Sequence, residues 1–117
     1  NNENVNLVRA TKEVNDKIKE VSQKLNIPLI EGNVVSCDCF DWYMSDLNTF
    51  LSRLPKNLNI QAAEMESFAL FYLAQKFNRE AACLLTVVDS HELHEEISVK
   101  EKEKNLDEMT ILGLESL

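Results

Sequence analysis

Apolar residues recur every three or four positions near the start of the chain. Polar residues, many of them lysine or glutamate, stand between them, and the apolar stripe consists of Leu7, Val14, Ile18, Val21 and Leu25. This spacing places the stripe on one face of a helix, so residues 5–25 are predicted to form an amphipathic surface helix. Asn26 and Pro28 mark its end, because proline cannot continue a helix.

A second helix is predicted over residues 65–77, where apolar residues fall on two faces. One stripe contains Met65, Phe68, Ala69 and Tyr72, and the other contains Leu70, Leu73 and Phe77. Such a helix is expected to be buried on both faces. Glu66 stands at the head of the second stripe, where we expect its carboxylate to be poorly solvated.

The segment after this helix has the composition of a buried strand. Residues 81–88 form a continuous apolar run that ends on Asp89, and such runs are typical of strands covered on both faces. Shorter strands are predicted within residues 29–39, with an interruption at 31–33, and within residues 56–63, after a turn. Strands and helices that alternate in this way indicate an α/β fold.

Glu66 and Asp89 are the first candidates for a functional site. Ligands of open α/β sheets gather at the carboxyl ends of the strands, and the two carboxylates are predicted to face one such site. Simpler interpretations stay open. The helix dipole favours an acid in the first turn of any helix, and aspartate is a common turn residue after a strand.

Capping signals predict two further helices. Ser45 precedes a short apolar stripe that ends at Pro55, which is typical of a surface helix. Ser98 and Glu101 have the spacing of a capping box, in which each side chain accepts a hydrogen bond from the backbone amide of the other residue. The last helix is therefore predicted to begin near Val99.

The composition narrows the class of protein. The 117 residues are predicted to form a single domain, residues 1–117, and 44% of them are apolar, which is enough for a core. The net charge of −8 argues against a surface for nucleic acid or anionic membranes. No apolar run approaches the ~18 residues of a membrane span, and the polar amino end lacks a signal-peptide pattern.

The spacings of cysteine and histidine do not predict a metal site. The three cysteines, two of them in Cys37-Asp38-Cys39, lack the spacing of zinc ligands and favour a reduced, cytoplasmic protein. His91 and His94 stand in the order HELHE, which is not the HExxH arrangement of zinc proteases. We therefore expect no bound metal.

Several segments, in order along the chain, resemble a known family. They are GNVVSCDCF at 32–40, AEMES at 63–67, LLTVVD at 84–89 and HE at 94–95, followed by the last helix through Leu106, Met109 and Leu117. Together they resemble the carboxyl-terminal half of bacterial purine nucleoside phosphorylases of the hexameric type. The resemblance implies a three-layer α/β/α fold with a mixed central sheet.

The resemblance also implies catalytic residues for phosphorolysis, the cleavage of a purine nucleoside by phosphate. Asp89 is the acid that protonates the base as it leaves. Lys102 stands where relatives have an arginine that approaches this aspartate. No cofactor is implied, and inorganic phosphate is the co-substrate.

Four further residues are implied to bind the nucleoside. Glu66 accepts hydrogen bonds from the ribose hydroxyls, Met65 packs on the sugar, and Glu64 assists at the edge of the ribose. Phe40 is the aromatic residue that stacks on the purine base. The neighbouring Asp41 departs from the family, because many relatives have a second aromatic residue there.

The phosphate-binding elements of the family have no counterpart here. The sequence contains only two glycines and three scattered arginines, whereas a phosphate cradle normally needs a glycine-rich turn or an arginine clamp. In the family these elements lie in the amino-terminal half. We therefore expect the chain alone to be inactive, and to form a homo-oligomer, a hexamer in the family, or to pair with a separate amino-terminal half.

Other functions stay open at this stage. A related nucleosidase or a uridine phosphorylase would carry similar segments. A non-catalytic binding or assembly module that retains the fold is the alternative from a different class, favoured by Lys102, Asp41 and the absent half.

Overall fold

The computed structural model describes residues 6–37, 47–90, 95–96 and 98–117. The contacts between residues divide the chain into two compact units. The first unit comprises the residues up to Arg9 and Ile30–Arg79, and the second comprises Ala10–Leu29 and Glu80–Leu117. The single domain predicted from the sequence stays a prediction.

The first unit is built on two parallel strands. They are β1, Asn33–Ser36, and β2, Ile60–Glu64. The helix α2, Leu47–Ser52, and a 3-10 turn at Lys56–Leu58 come between them, and the helix α3, Ser67–Lys76, follows β2 and contacts β1. The turn and short strand predicted over residues 56–63 are confirmed, and the strand predicted within 29–39 is confirmed at its centre.

An irregular register decides which residues of the two strands lie side by side. The pairing shifts between Asn33 and Val34, because one residue of β2 is left unpaired there. Such a bulge moves every later residue of β1 one step along β2. Ser36 therefore lies opposite Glu64, whereas an even register would place it opposite Ala63.

The helix α3 is less buried than its apolar pattern predicts. Leu70, Leu73 and Phe77, which form one of its two stripes, are 47%, 49% and 66% exposed. Phe68 and Tyr72 of the other stripe are partly buried, and their stacked rings have centroids 6.4 Å apart. The prediction of two buried faces is wrong, because the second stripe is open to solvent among the described residues.

The second unit contains the helices α1, Lys12–Leu25, and α4, Val99–Glu115, which pack against each other. Ile18, Val21 and Leu112 form its core, and the side chains packed around them belong to Val14, Ile27, Ala82 and Leu84. The predicted amphipathic helix is thus confirmed over residues 12–25. Asn26 ends it in the left-handed conformation, with φ of 56°.

The helix α1 starts later than its apolar pattern predicts, because the residue before it is held by another segment. The Thr11 amide donates to the Ala81 carbonyl over 2.8 Å, and the Ala81 amide donates to Thr11 Oγ1 over 2.9 Å. Thr11 is held in an extended conformation. Leu7, the first member of the predicted stripe, lies outside the helix and is 45% exposed.

Residues 80–88 have no regular secondary structure, so the prediction of a buried strand here is wrong. Burial alternates along the run: Ala82, Leu84 and Thr86 are partly buried, whereas Leu85 and Val87 are exposed. A strand requires a hydrogen-bonded neighbour, and none of the described strands pairs with this segment. One face of the run is packed within the second unit, and the other face is open.

A short antiparallel strand pair and a capped helix complete the second unit. Asp89 opens β3, Asp89–Ser90, which pairs with β4, Glu95–Glu96. The predicted capping box is confirmed: Ser98 Oγ accepts from the Glu101 amide over 3.1 Å, and the Ser98 amide donates to the Glu101 carboxylate over 3.2 Å. The helix α4 begins at Val99, as predicted.

The chain thus combines helices and strands, with a small parallel sheet in its first unit. This agrees with the predicted α/β class. The three-layer arrangement and the mixed central sheet stay predictions. Within the described ranges, no helix is long and apolar enough to cross a membrane.

Candidate functional site

The turn between β2 and α3 directs many hydrogen bonds to one carboxylate. Glu64 Oε2 accepts from the backbone amides of Glu66 and Ser67 over 2.6 and 2.5 Å. Glu64 Oε1 accepts from the hydroxyls of Ser36 and Ser67, the latter over 2.6 Å. The two oxygens of a carboxylate offer about four acceptor positions, so donors within the protein occupy this one fully.

Two opposing effects act on the pKa of Glu64. Partial burial raises it, because desolvation disfavours the charged form, and the hydrogen bonds from Ser36, Ser67 and the Glu66 amide lower it. The hydrogen bonds prevail together, and the pKa of Glu64 lies below its ordinary value of 4.5. The group is therefore an ionised acceptor at neutral pH.

Ser36 connects the strand pair to the start of α3. Its hydroxyl donates to Glu64 and accepts from the Phe68 amide over 2.9 Å. Ser67 is only 4% exposed, and its hydroxyl lies 3.4 Å from that of Ser36. The bulge in the β1–β2 register brings Ser36 to this position.

Glu66 differs sharply from Glu64, although only one residue separates them. Glu66 is exposed and occupies the N-cap position of α3, where its side chain makes no capping hydrogen bond. Its backbone is held on both sides, because its amide donates to Glu64 and its carbonyl accepts from the Leu70 amide over 3.2 Å. Met65, between the two glutamates, is partly buried. The turn therefore presents a second carboxylate to solvent on a fixed backbone.

The other predicted site residues lie elsewhere in the chain. Asp89 opens β3 in the second unit, and Lys102 is partly buried near the start of α4. Phe40 lies outside the described residues. The structure therefore brings together the three predicted residues of the turn, and the roles of all six residues stay predictions.

A cleft in the second unit contains none of the predicted site residues. It has a volume of about 280 Å³ and lies between residues 84–87 and one side of α4, including Glu108, Met109 and Leu112. Neither Asp89 nor Lys102 is among the residues that line this cleft. We assign it no role in the candidate site.

Metal binding finds no support in the part of the chain that the structure describes. No three histidine, cysteine, aspartate or glutamate side chains cluster there as metal ligands. His91 and His94, the histidines of the HELHE segment, lie outside the described residues.

Sequence reasoning missed Ser36 and Ser67, the two serines whose hydroxyls donate to Glu64. Ser67 follows Glu64 by three residues, and that spacing is a signal for a side chain that accepts a backbone hydrogen bond at the start of a helix. No comparable signal identifies Ser36. Its position beside Glu64 depends on the bulge between Asn33 and Val34, which the order of residues does not reveal.

The comparison with known proteins agrees with the resemblance seen in the sequence. The sequence profile described as "Phosphorylase superfamily" matches residues 2–112. Because this match covers nearly the whole chain, the protein belongs to that superfamily.

Curated relatives make the comparison more specific. The chain is 30% identical over 103 residues to the purine nucleoside phosphorylase DeoD-type of Streptococcus pyogenes serotype M4. It is 34% identical over 100 residues to that of Brevibacillus brevis and 33% identical over 103 residues to that of Streptococcus suis. These alignments cover 86% or 87% of this chain and 41% or 42% of each relative, so the chain spans about two fifths of the length of these relatives. The predicted similarity to purine nucleoside phosphorylases is confirmed.

Proposed function

We propose that this chain is the nucleoside-binding part of a purine nucleoside phosphorylase, which cleaves purine ribo- and deoxyribonucleosides to free base and pentose 1-phosphate. The observation that carries this proposal is the turn at residues 64–67, where a fixed backbone presents the Glu66 carboxylate to solvent. Such a carboxylate suits the adjacent hydroxyls of a ribose, because its two oxygens can accept a hydrogen bond from each. Membership of the superfamily and the match to DeoD-type enzymes support the same function.

Asp89 and Lys102 are the catalytic residues of this proposal. A purine base leaves poorly unless it is protonated, and a positioned acid that supplies the proton contributes about 10²–10⁴ in rate. Asp89 gives this proton to the imidazole nitrogen of the base, and Lys102 stabilises the carboxylate that remains. Lysine keeps the charge of the arginine found in relatives but lacks its planar fork.

The remaining contacts hold the nucleoside. Phe40 stacks on the flat face of the purine, since an aromatic ring offers a large apolar surface to it. Met65 packs on the sugar next to the hydroxyls that Glu66 binds. The reaction needs no cofactor, and inorganic phosphate is the second substrate.

Phosphate is proposed to bind to a segment other than these 117 residues. The support is the length of the matched relatives, of which this chain covers 42% or less. The working form in this proposal is an assembly in the cytoplasm. It is either a homo-oligomer whose subunits include the phosphate-binding segment, or a complex of this chain with a separate amino-terminal half.

The test is the release of free base from inosine and adenosine, with and without phosphate. It is run with the chain alone and with a mixture of the chain and the amino-terminal half of a DeoD-type relative. We expect phosphate-dependent release in the mixture only. Release by the chain alone would contradict the division between the two parts, and an inactive mixture whose complex has formed would refute the activity.

Two further substrates separate the related activities. Cleavage of methylthioadenosine without phosphate would indicate a nucleosidase, and cleavage of uridine would indicate a uridine phosphorylase. We expect the mixture to prefer inosine or adenosine to uridine, because an acid at residue 89 suits the imidazole nitrogen that purines have and uracil lacks.

A further inference from the structure

We propose that Glu64 is a positioning residue: its carboxylate fixes the turn that carries Met65 and Glu66, and it does not bind the sugar. The inference rests on the proposed function, because Glu66 is taken as the acceptor for the ribose hydroxyls. It differs from the role at the edge of the ribose that the sequence resemblance implies for Glu64.

The first reason is that Glu64 has no acceptor position left for a ligand. Each of its two oxygens already accepts two hydrogen bonds from the protein. A ribose hydroxyl could bind only by displacing one of these donors. Two of them are backbone amides at the start of α3, which have no partner within the helix, and a displaced amide would lose its hydrogen bond. The sugar would therefore gain little by binding here.

The second reason is that two different elements hold the carboxylate. Ser36 reaches it from β1, through the register that places Ser36 opposite Glu64. Ser67 reaches it from α3 and is buried. A side chain held from both elements keeps its orientation when a ligand arrives, which is the property required of a positioning group.

The third reason is the effect of Glu64 on Glu66. The bond from the Glu66 amide to Glu64 Oε2 holds Glu66 at φ of −130° and ψ of −26°, outside the helix that begins at the next residue. This backbone conformation leaves the Glu66 side chain exposed at the N-cap position. Without the Glu64 carboxylate, the backbone of the turn would lose this hydrogen bond, and the Glu66 side chain would adopt a wider range of orientations.

The first experiment measures the turn in the full chain without ligand, by NMR. We expect the amide protons of Glu66 and Ser67 to shift with the ionisation of Glu64. In Glu64→Gln this titration disappears, and both amides exchange with solvent about tenfold faster, because the neutral carbonyl oxygen of glutamine accepts a weaker hydrogen bond than a charged carboxylate oxygen does. The control Glu66→Gln removes the other carboxylate of the turn and leaves the amide titration in place. Amides whose titration and exchange are unchanged in Glu64→Gln would overturn the proposal.

Two variants of the strand residue separate positioning from general stability. Ser36→Ala is expected to speed exchange at the Phe68 amide and to broaden the signals of the turn. Ser36→Thr keeps a hydroxyl at the same place and is expected to restore them. Equal spectra of the turn in the alanine and threonine variants would contradict a positioning role for this hydroxyl.

Addition of inosine then tests the sugar contact. We expect inosine to shift the carboxylate carbon signal of Glu66 more than that of Glu64, and Ser36→Ala and Glu64→Gln to weaken inosine binding alike. A larger shift at Glu64 would overturn the proposal. If inosine shifts no signal of the turn, the proposed function fails, and the amide titration decides the positioning role by itself.

Discussion

Replacement of Ser36 by alanine perturbs the hydrogen-bond network of the turn at one atom. It removes a donor to the ionised Glu64 and the acceptor of the Phe68 amide. A hydrogen bond to a charged group contributes about 1.5–3 kcal/mol, and a neutral one contributes about 0.5–1.5 kcal/mol. Because Ser36, Glu64 and Phe68 are only partly buried, water can replace some of the lost bonding. We therefore expect the free energy of unfolding to fall by about 2 kcal/mol, the low end of the summed range.

The assay is urea unfolding followed by circular dichroism, in which a lower midpoint with an unchanged slope reports lost stability. Ser52→Ala is the matched control, because Ser52 also uses its hydroxyl, donating to the Thr49 carbonyl over 2.7 Å, but is exposed. The control is expected to change the free energy of unfolding by less than about 0.5 kcal/mol. Equal losses in Ser36→Ala and Ser52→Ala would refute the reasoning about the network.

Three other outcomes concern stability, each measured by urea unfolding. Leu112 is 2% exposed, and its replacement by alanine is expected to lower the free energy of unfolding by about 2–5 kcal/mol. The control Leu117→Ala, at a position 99% exposed, is expected to change it by less than about 0.5 kcal/mol. Ser98→Ala removes the N-cap side chain of α4 and is expected to lower the free energy of unfolding by about 1 kcal/mol. The pKa of Glu64 is lower in the folded chain than its ordinary value of 4.5. The ionised Glu64 therefore stabilises the fold fully above pH 4.5, and this contribution is lost as the pH falls through the lowered pKa of the folded chain. Glu64→Gln is expected to abolish this part of the pH dependence, and an unchanged pH profile would contradict it.

The helices were predicted well where the deciding interactions are local. Ile18 and Val21 of α1 lie in the core because their spacing places them on one face of a single helix. The cap at Ser98 and Glu101 needs only residues three positions apart, and the structure forms both of its hydrogen bonds. Neither feature depends on the position of another segment.

Features that depend on pairing between distant segments were not predicted. Residues 81–88 have the composition of a strand, but a strand also needs a neighbour, and none of the described strands supplies one. The start of α1 depends on Thr11 bonding to Ala81, which lies far away in sequence. The position of Ser36 beside Glu64 depends on a bulge in the pairing of β1 with β2. The EMES segment drew attention to the turn, but Ser36, which donates a hydrogen bond to Glu64 from the neighbouring strand, was visible only in the structure.

The most direct test of the proposed function compares two aspartates in the mixture of this chain with an amino-terminal half. Asp89→Asn removes the proposed acid, and Asp107→Asn changes an exposed aspartate of α4 in the same way. We expect phosphate-dependent release of hypoxanthine from inosine to fall by about 10²–10⁴ in Asp89→Asn and to stay unchanged in Asp107→Asn. Equal rates in the two variants would contradict the account of this chain as the nucleoside-binding part of a phosphorylase.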